Sequence, residues 1–561
     1  METDGDLVHG AWLGTVDTDG TSRTAGLLGV LVGAHTTQRL ELPASTMLPS
    51  LLRQLLLPVV LDAVGAPRTR REWTERFGHG CFSDAEVELL TDYLGPRRYG
   101  GRFRILGGEQ PFAQVAGLEA LNGETKSVAQ LVPSIASGNN VPLFSALTEA
   151  DEMLLTPGQA LLWLLHAHCW DTASIKTGAV GDPQAKNGKT TGNPTGPLGQ
   201  LGVVVPVGRN LFETLMLNTP ILPDGLDPAD RPQWAWDERP AELGRKSPAG
   251  PEWSTRPAGG LLDLLTFQSR RIRLIARETE QGPRVHRVIV SAGDRLARTP
   301  EWDPHTAWSH TAKPKAGQPQ RRPRRHISGR AAWQGLGTLL ALALPVEGDG
   351  PYTSALLRQA GDLRADDALP TDYPLGVEIC GLEYGTQSAV VENAIGDSLP
   401  LPVASLLAEN DWLRAAILEC ASQADRAGRA LDNLDNDLRR ASGGDPLPRD
   451  RGQRPSSRFL HALDGTMRRL LAGLRTVGED DDLLERAELA WELSVRAAAV
   501  REAEALLAAV PPRAVVGRVE KVNGKDVVHR SGKAVGAFYK KLAEILPRAA
   551  EESSGGGKAT A

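Results

Sequence analysis

The sequence predicts an α+β protein in which a large, loop-rich N-terminal α/β body is followed by a C-terminal four-helix bundle. Up to about residue 395, short apolar runs such as 201–205 and 288–290 mix with helical segments and many Gly and Pro residues. This mixture is typical of short strands joined by long loops. From about residue 400, apolar residues recur at helical spacing over long segments. We therefore expect domains at 1–395 and 400–550, with a flexible tail at 551–561.

The bundle prediction rests on four segments with helical periodicity, at residues 404–440, 457–474, 482–510 and about 534–550. Breaks rich in Gly, Pro and Asp separate them. Consecutive amphipathic helices joined by short connections are typical of a bundle. Acidic clusters, namely Asp366-Asp367 and Asp480-Asp481-Asp482, are expected at helix starts, where negative charge complements the helix dipole.

The bulk composition limits the class of protein. With 561 residues and 41% hydrophobic content, the chain is long enough for two or more cores. It begins without a signal-peptide pattern and has no apolar run long enough to cross a bilayer, so we expect a cytoplasmic protein without a membrane partner. The formal net charge of −6 argues against a protein that coats nucleic acid over its whole surface. Any contact with nucleic acid is therefore expected to be local.

The sequence shows no recognisable catalytic motif. The strings of a P-loop, of a G-x-S-x-G elbow and of an H-E-x-x-H zinc site do not occur. His166 and His168 are two residues apart in an apolar helical stretch, so they face different sides and are expected to be structural. The four cysteines are widely spaced and form no C-x-x-C pair. We predict a binding protein with no catalytic residue, metal or cofactor, and a hydrolase with an unrecognised site is the enzymatic alternative.

One local basic tract stands out at residues 313–330. Its cations are interleaved with Pro residues, and no acidic residue interrupts them: Lys313, Lys315, Arg321, Arg322, Arg324, Arg325 and Arg330. Such a density of charge suits a mobile loop that lies along a phosphate backbone. A solvated, disordered loop is an equally good interpretation.

A second informative segment is the polar turn at residues 381–389, between a strand-like run and the helical region. Its glycines tolerate positive φ and permit close approach of another chain. Gln387 can both donate and accept hydrogen bonds without the desolvation cost of a charge. The turn could therefore present Gln387 to a partner, although an ordinary surface connection is the better explanation when the turn is taken alone.

Five short segments occur in a specific order along the first 395 residues. They are 109–114 (EQPFAQ), 138–144 (GNNVPLF), 208–215 (GRNLFETL), 266–272 (TFQSRRI) and 387–389 (QSA). Taken together, they resemble the CasA family, the large subunit of the type I-E Cascade complex of CRISPR antiviral surveillance. The resemblance implies an α+β body with a C-terminal four-helix bundle, in agreement with the pattern above.

The resemblance also implies a function. A subunit of this family sits at the end of the assembly that holds the 5′ handle of the crRNA, beside the small subunit, the handle-binding subunit and the backbone subunits. It binds double-stranded target DNA and recognises the protospacer-adjacent motif from the minor groove. It then starts strand separation and helps to recruit a helicase-nuclease. Sequence beyond the motif is read by guide pairing.

Site residues follow from the resemblance position by position. The wedge that enters the duplex falls on Gly385, Thr386 and Gln387. The family's minor-groove glycine loop falls on residues 172–178, where only Gly178 of the glycine cluster remains. The DNA-facing residues of that loop are Ala173, Ser174, Ile175 and Lys176.

Two further elements match less closely. The family's lysine finger is best placed at Arg295, where arginine keeps the charge and suits a narrow minor groove. The loop after Gly138 is expected to contact the crRNA handle or the motif through Asn140, Leu143 and Phe144, although Phe144 could equally be a buried anchor. The runner-up function is a scaffold that docks partner subunits and holds RNA without reading DNA.

Overall fold

The structure is a computed structural model that describes residues 5–108, 110–138, 146–238, 252–345, 348–448, 452–478, 480–522 and 525–555. The predictions for Asn140, Leu143 and Phe144 lie outside these residues. The chain divides into two compact units. The first comprises Met1–Arg330, Ala341–Ala368 and Leu375–Ser398, and the second comprises Ala331–Leu340, Leu369–Pro374 and Leu399–Ala561. The predicted α+β class is confirmed.

Short helices and strands alternate in the first unit. Its α-helices are Leu27–Val32, Met47–Leu51, Leu57–Ala63, Arg70–His79, Asp84–Tyr93, Pro157–Trp170, Leu211–Leu217, Leu261–Leu265 and Ala355–Ala365. Polar caps set several of the helix starts. Thr156, for example, accepts a hydrogen bond from the Gln159 amide, and the Gln159 side chain accepts one from the Thr156 amide. Such a capping box satisfies two amides that the helix itself leaves unpaired.

The strands of the first unit form small sheets. In sheet order, the first sheet comprises Ser22–Ala25, Leu13–Asp17 and Thr37–Leu40, and the second comprises Lys126–Ser127, Arg284–Ala292, Lys176–Thr177 and Lys189–Thr190, with Arg270–Arg277 also paired with Arg284–Ala292. The third comprises Val391–Pro400, Gly376–Tyr384 and Val203–Val207, and the fourth comprises Arg321–Pro323, Trp308–His310 and Gly350–Tyr352. The strands Arg295–Leu296 and Thr255–Arg256 form a separate pair. The predicted apolar runs 201–205 and 288–290 fall on strands. The third of these sheets contains the hairpin that presents the polar turn.

A charged network lies in the core of the first unit. Arg53, on the π-helical turn Leu52–Leu56, donates to both carboxylate oxygens of Asp303, and the two side chains are 2% and 1% exposed. His305 joins the network through Arg53 and through the amide oxygen of Asn218. Each buried polar group thereby gains a partner, which offsets the cost of removing it from water.

Long helices dominate the second unit. Its α-helices are Leu336–Leu339, Asp411–Ala441, Pro455–Gly473, Asp481–Ala508, Arg513–Val516, Ser531–Ile545 and Pro547–Gly555, and its hairpin is Arg518–Val522 with Lys525–His529. The helix Asp411–Ala441 packs against three others, Pro455–Gly473, Asp481–Ala508 and Ser531–Ile545. These four occupy the places of the predicted bundle helices. The fourth ends earlier than predicted because Pro547 begins a separate helix, and the hairpin was not predicted.

The two acidic clusters differ in outcome. Asp480 caps the helix Asp481–Ala508 by accepting a hydrogen bond from the Leu483 amide, as predicted. The prediction for Asp366-Asp367 is wrong, because the helix Ala355–Ala365 ends there. Asp366 pairs instead with Arg70, 3.1 Å away, and Asp367 with Arg364, 2.8 Å away.

The buried histidines are structural, as predicted. His166 Nε2 lies 3.0 Å from Thr46 Oγ1, and His168 Nε2 lies 2.8 Å from the carbonyl oxygen of Ala113. Burial lowers the pKa of His166 to about 3 and that of His168 to about 4, so both rings are neutral at neutral pH. Within the described ranges, no cluster of three or more His, Cys, Asp or Glu side chains has metal-site geometry. Over the same residues, no helix combines the length and the apolarity of a membrane span.

Candidate nucleic-acid interface

A β-hairpin presents the polar turn. Its strands are Gly376–Tyr384 and Val391–Pro400, and its tip is the segment 385–390. Within the tip, the Gly385 amide donates to the Val390 carbonyl at 3.0 Å, and the Ser388 amide donates to the Gly385 carbonyl at 2.8 Å. Thr386 and Gln387 are exposed at the end of this closed turn. The sequence prediction that Gln387 is available to a partner therefore agrees with the geometry of the tip.

The backbone of the tip is strained where no glycine stands. Gln387 and Ser388 have φ values of +55° and +53°, whereas Gly385 has a φ of −75°. The positive φ that glycine tolerates is thus adopted in this tip by Gln387 and Ser388 and not by Gly385. For residues with a Cβ, the left-handed region costs about 1–2 kcal/mol each. Strain of this kind persists only where the surrounding structure enforces it.

The small-residue loop, residues 171–178, is joined directly to this tip. It follows the helix Pro157–Trp170, and the amide of Ala173 donates to the carbonyl of Ser388 at 2.8 Å. Just before the tip, Tyr384 Oη donates to the carbonyl of Trp170 at 2.6 Å. Two segments that are far apart in sequence thus share one backbone-to-backbone contact and one side-chain anchor. The predicted wedge and the predicted minor-groove loop are neighbours in space.

Two neighbouring side chains of the small-residue loop differ in exposure, one facing the solvent and the other the interior. Ile175 is 50% exposed. Lys176 is only 4% exposed, and its Nζ lies 2.6 Å from Asp171 Oδ2. The strand Lys176–Thr177 pairs with Lys189–Thr190, which fixes the base of the loop. The loop therefore presents an apolar side chain outward and keeps its cation inside.

Asp171, Lys176 and Arg270 form a buried ionic cluster beneath the loop. Arg270 Nε donates to the same Asp171 oxygen that pairs with Lys176, and Arg270 Nη2 donates to the carbonyls of Thr172 and Pro194. Burial alone would raise the pKa of Asp171, but the two cations lower it to about 2. Burial lowers the pKa of Lys176 to about 8, even though Asp171 favours its charged form.

Arg295 lies beside the same loop and is held by its neighbours. Its guanidinium stacks 4.2 Å above the Trp253 ring, and Nη2 donates to the Thr191 carbonyl at 3.0 Å. Asn193 links it to the loop, because Asn193 Oδ1 accepts from Arg295 and Asn193 Nδ2 donates to the Ser174 carbonyl, each at 3.4 Å. Burial and the nearby Arg270 lower the pKa of Arg295. The structure thus brings a third predicted element to the loop.

A short part of the basic tract is a strand, and the rest of the tract lies in turns and loops. Arg321–Pro323 pairs with Trp308–His310, and the tract then runs along the start of the strand Val203–Val207. There the Gly202 amide donates to the Arg324 carbonyl at 2.8 Å, and His326 Nε2 lies 3.0 Å from the Val203 carbonyl. Since Val203 pairs with Cys380, this end of the tract lies beside the strand that leads to the tip.

The cations of the tract are not equivalent. Arg321 is half-buried, stacks 5.2 Å from the Tyr352 ring and lies 3.7 Å from Glu301. Arg325 donates to the side chain of Gln200, and Arg322 donates to that of Gln318. The side chains at the surface are those of Lys313, Lys315, Arg322, Arg324, Arg325 and Arg330. Exposed cations of this kind, without a close carboxylate, are the ones available to a phosphate.

Sequence reasoning missed three residues that hold the site together: Asp171, Arg270 and Tyr384. Arg270 lies in the segment 266–272 that contributes to the resemblance, but its role was not assigned. Tyr384 stands immediately before the predicted wedge and was treated only as part of the turn. The available signal for Arg270 was its place at the start of the alternating segment 270–277, three residues after Phe267. Its partners could not be identified without the fold.

Comparison with known proteins gives a consistent result. The sequence model of the family described as CRISPR-associated protein Cse1 matches residues 6–501. A curated relative, CRISPR-associated protein CasA/Cse1 of Thermus thermophilus, is 31% identical over 252 residues, and the aligned region spans 45% of this chain and 45% of that relative. The alignment therefore covers less than half of the relative's length.

Solved structures match over nearly the whole chain. The crystal structure of Thermobifida fusca Cse1 is similar with a TM-score of 0.78 and 30% identity, covering 97% of this chain and 98% of that one. A chain of a structure titled CRISPR RNA-guided surveillance complex has a TM-score of 0.62 at 20% identity, with 90% of this chain and 99% of that chain covered. At that identity the second match shows a shared fold.

The strained tip makes a prediction about stability. The variant Gln387→Gly is expected to be more stable than Gln387→Ala by about 1 kcal/mol, because glycine adopts positive φ without a Cβ clash. Urea unfolding of the two isolated variants measures the difference. The matched control is the pair Asn393→Gly and Asn393→Ala on the adjacent strand, where glycine should be the less stable. Equal stability of the two Gln387 variants would contradict backbone strain at the tip.

Proposed function

The chain belongs to the CRISPR-associated protein Cse1 family, and on that premise we propose that it is the non-catalytic large subunit of an RNA-guided type I-E Cascade complex. In this proposal it binds double-stranded DNA, recognises the protospacer-adjacent motif from the minor groove and starts strand separation. It then helps to recruit a helicase-nuclease for antiviral defence. Its partners are crRNA, target DNA, the small subunit, the subunit that binds the crRNA 5′ handle and the backbone subunits.

The hydrogen bond between the Ala173 amide and the Ser388 carbonyl is the observation that supports the proposal most strongly. It joins the small-residue loop to the hairpin tip, so the element that would read the groove and the element that would open the duplex move as one. Reading and opening then occur at adjacent base pairs. Unstacking a base step costs a few kcal/mol, which contacts in the neighbouring groove can offset.

Gln387 is the wedge in this proposal. Its side chain is exposed at the end of a turn whose backbone is fixed by two internal hydrogen bonds. A planar amide can stack on a base and can also bond to the base edges that separation exposes. Thr386 lies beside it, and Gly385 closes the turn through its bond to Val390. The strain at Gln387 and Ser388 suits a tip that is fixed in shape before DNA arrives.

The small-residue loop approaches the minor groove through Ala173, Ser174 and Ile175. Small side chains let backbone groups approach the acceptors on the groove floor, where reading is mainly A·T against G·C. The exposed Ile175 adds an apolar contact, and inserted aliphatic side chains are a common device of minor-groove proteins. Lys176 acts from below as a positioning residue, since its Nζ is buried against Asp171.

Arg295 and the basic tract supply positive charge around these two elements. A narrow minor groove concentrates negative potential, which favours an arginine placed beside it. The Arg295 guanidinium already lies next to the loop through Asn193, so it is positioned to contribute this attraction. The exposed cations of residues 313–330 would contact phosphates, which adds affinity without sequence preference.

The central test is duplex opening by complexes that contain Gln387→Ala. We expect opening of a motif-bearing duplex to fall by about tenfold or more, because one inserted contact is worth at least about 1.4 kcal/mol. A fluorescent base analogue beside the motif reports opening. The matched control is Asn393→Ala, which removes an exposed amide from the same hairpin away from the tip. Wild-type opening by Gln387→Ala would favour the scaffold function.

The basic tract makes a prediction about salt. Replacing Lys313, Lys315, Arg322 and Arg324 by Gln should weaken binding to all duplexes alike and should flatten the dependence of log affinity on log salt by about one unit per lost phosphate contact. Titration at several salt concentrations measures both effects. Arg71→Gln is the control, because Arg71 is exposed on the helix Arg70–His79, outside the tract, and pairs with Glu75. An unchanged slope would show that the tract is only solvated.

The buried cluster makes a prediction about pH. As the pH rises through about 8, Lys176 loses its proton and its ion pair with Asp171, so duplex opening by the wild type should decline. Because the pKa of Lys176 is lowered, the folded chain binds fewer protons than the unfolded chain between about pH 8 and 10.5. The contribution of this group to the free energy of unfolding therefore rises with pH over that window. Loss of opening with no loss of thermal stability would therefore identify a positioning effect.

The variants Lys176→Arg and Lys176→Met provide the controls for this pH dependence. Arginine keeps its charge over the whole range, so opening should no longer decline near pH 8. Methionine lacks the charge at every pH, so opening should be low throughout. An identical pH profile in all three proteins would show that Lys176 does not act through its charge.

A further inference from the structure

An open groove lies at the root of the hairpin that presents the tip. Its volume is about 910 Å³, which is within the range of about 300–1,000 Å³ typical of ligand sites. The groove is bounded by the segment 38–45, by the start of the helix Pro157–Trp170, by Leu211 and by both strands of the hairpin. Glu378 and Cys380 contribute from one strand, and residues 396–398 contribute from the other.

The walls of the groove are apolar and aromatic, while its charges are acidic. Trp12, Leu162 and Trp163 supply much of the apolar lining. Among the described lining residues, three are carboxylates and one is a cation, namely Glu41, Glu378, Asp397 and Arg39. Such a surface repels phosphate, so crRNA and DNA are unsuitable occupants. It suits a cation whose aliphatic stem packs on an indole while its head reaches a carboxylate.

Glu378 is the distinctive group in the groove. It lies on the central strand of its sheet and is half-buried, and its carboxylate has no hydrogen bond or ion pair with any residue in the part of the chain that the structure describes. Burial raises its pKa, and among the described residues no cation lies near enough to offset that effect. A carboxylate kept partly out of water without a partner costs stability unless a ligand supplies the missing charge.

We propose that this groove docks a segment of another protein subunit that carries a Lys or Arg side chain flanked by apolar residues, with the cation paired to Glu378. The inference rests on the proposed membership of the chain in a Cascade complex. Because the occupant would contact both strands of the hairpin, its binding would stabilise the base of the hairpin whose tip opens the duplex. Assembly and duplex opening would thereby be coupled.

The packing of the root supports this coupling. A Cβ added to Gly396 would lie 2.0 Å from Ser45 Oγ, so the backbone of the second strand is in close contact with the segment 38–45. On the first strand, Cys380 Sγ donates to the Ser45 carbonyl at 3.4 Å. One residue of the groove wall thus touches both strands. A ligand that fixes the position of Ser45 would also fix the hairpin.

The test compares Glu378→Gln with Glu383→Gln, which removes an exposed carboxylate from the same strand outside the groove. The probe is the crRNA-bearing assembly reconstituted without this subunit. We expect Glu378→Gln to bind it at least about tenfold more weakly, since a partner cation loses its charged pair. The thermal midpoint of the isolated Glu378→Gln chain should not fall, and Glu383→Gln should bind like the wild type.

Two variants at Ser398, an exposed residue of the groove rim, test the sign of the charge. Ser398→Lys should weaken assembly and Ser398→Glu should not, because the occupant is cationic. Unchanged binding by Glu378→Gln, or a parallel fall in its binding and thermal midpoint, would overturn the proposal. Self-association of the isolated wild type that Glu378→Gln abolishes would also overturn it, since the occupant would then be a second copy.

The outcome for the docking groove can be distinguished from the outcome for the proposed DNA-opening function. Complexes that assemble in a Glu378-dependent manner but fail to open any motif-bearing duplex would reject the DNA-opening role and leave the docking groove intact. If the Glu378→Gln subunit instead joins the assembly with wild-type affinity and the complex opens DNA normally, the docking groove is rejected and the DNA-opening role is left intact.

Discussion

The shared carboxylate of Asp171 determines the shape of the candidate interface. One oxygen accepts from both Lys176 and Arg270, and Arg270 extends its remaining donors to the carbonyls of Thr172 and Pro194. A single buried anion therefore orders a loop that has no regular structure at its exposed end. Removing Asp171 would leave two neighbouring cations in the interior without a carboxylate, which is costly. The hairpin tip depends on the same arrangement, because it bonds to the loop that the cluster holds.

The fold class and the order of the long helices could be predicted because they depend on local periodicity. The strands at Val203–Val207 and Arg284–Ala292 coincide with apolar runs, and the cap at Asp480 follows from its own side chain. The break before Pro547 and the end of a helix at Asp366 were missed, since the choice between continuing and stopping depends on tertiary packing. The hairpin 518–529 was missed as well.

The site could be predicted only in part. Sequence reasoning placed Gln387 on an exposed turn and grouped Lys176 with a small-residue loop, and both positions lie close together in the structure. It could not tell that Lys176 faces inward, because the Asp171 carboxylate that Lys176 pairs with is held in place by Arg270 from a distant strand. It also gave no sign that Gln387 and Ser388, and not a glycine, would adopt positive φ at the tip. The groove was inaccessible to sequence reasoning, since its walls come from segments that only the fold brings together.

The joint between the loop and the tip uses main-chain atoms, the Ala173 amide and the Ser388 carbonyl. Such a joint does not depend on which side chains the two segments carry. Ile175 and Gln387 can therefore be exchanged without undocking the elements that present them. This separates the backbone frame of the candidate interface from the side chains at its surface. Single substitutions can then change the surface while the joint between the two segments persists, so the contact residues are able to evolve independently of the frame that presents them.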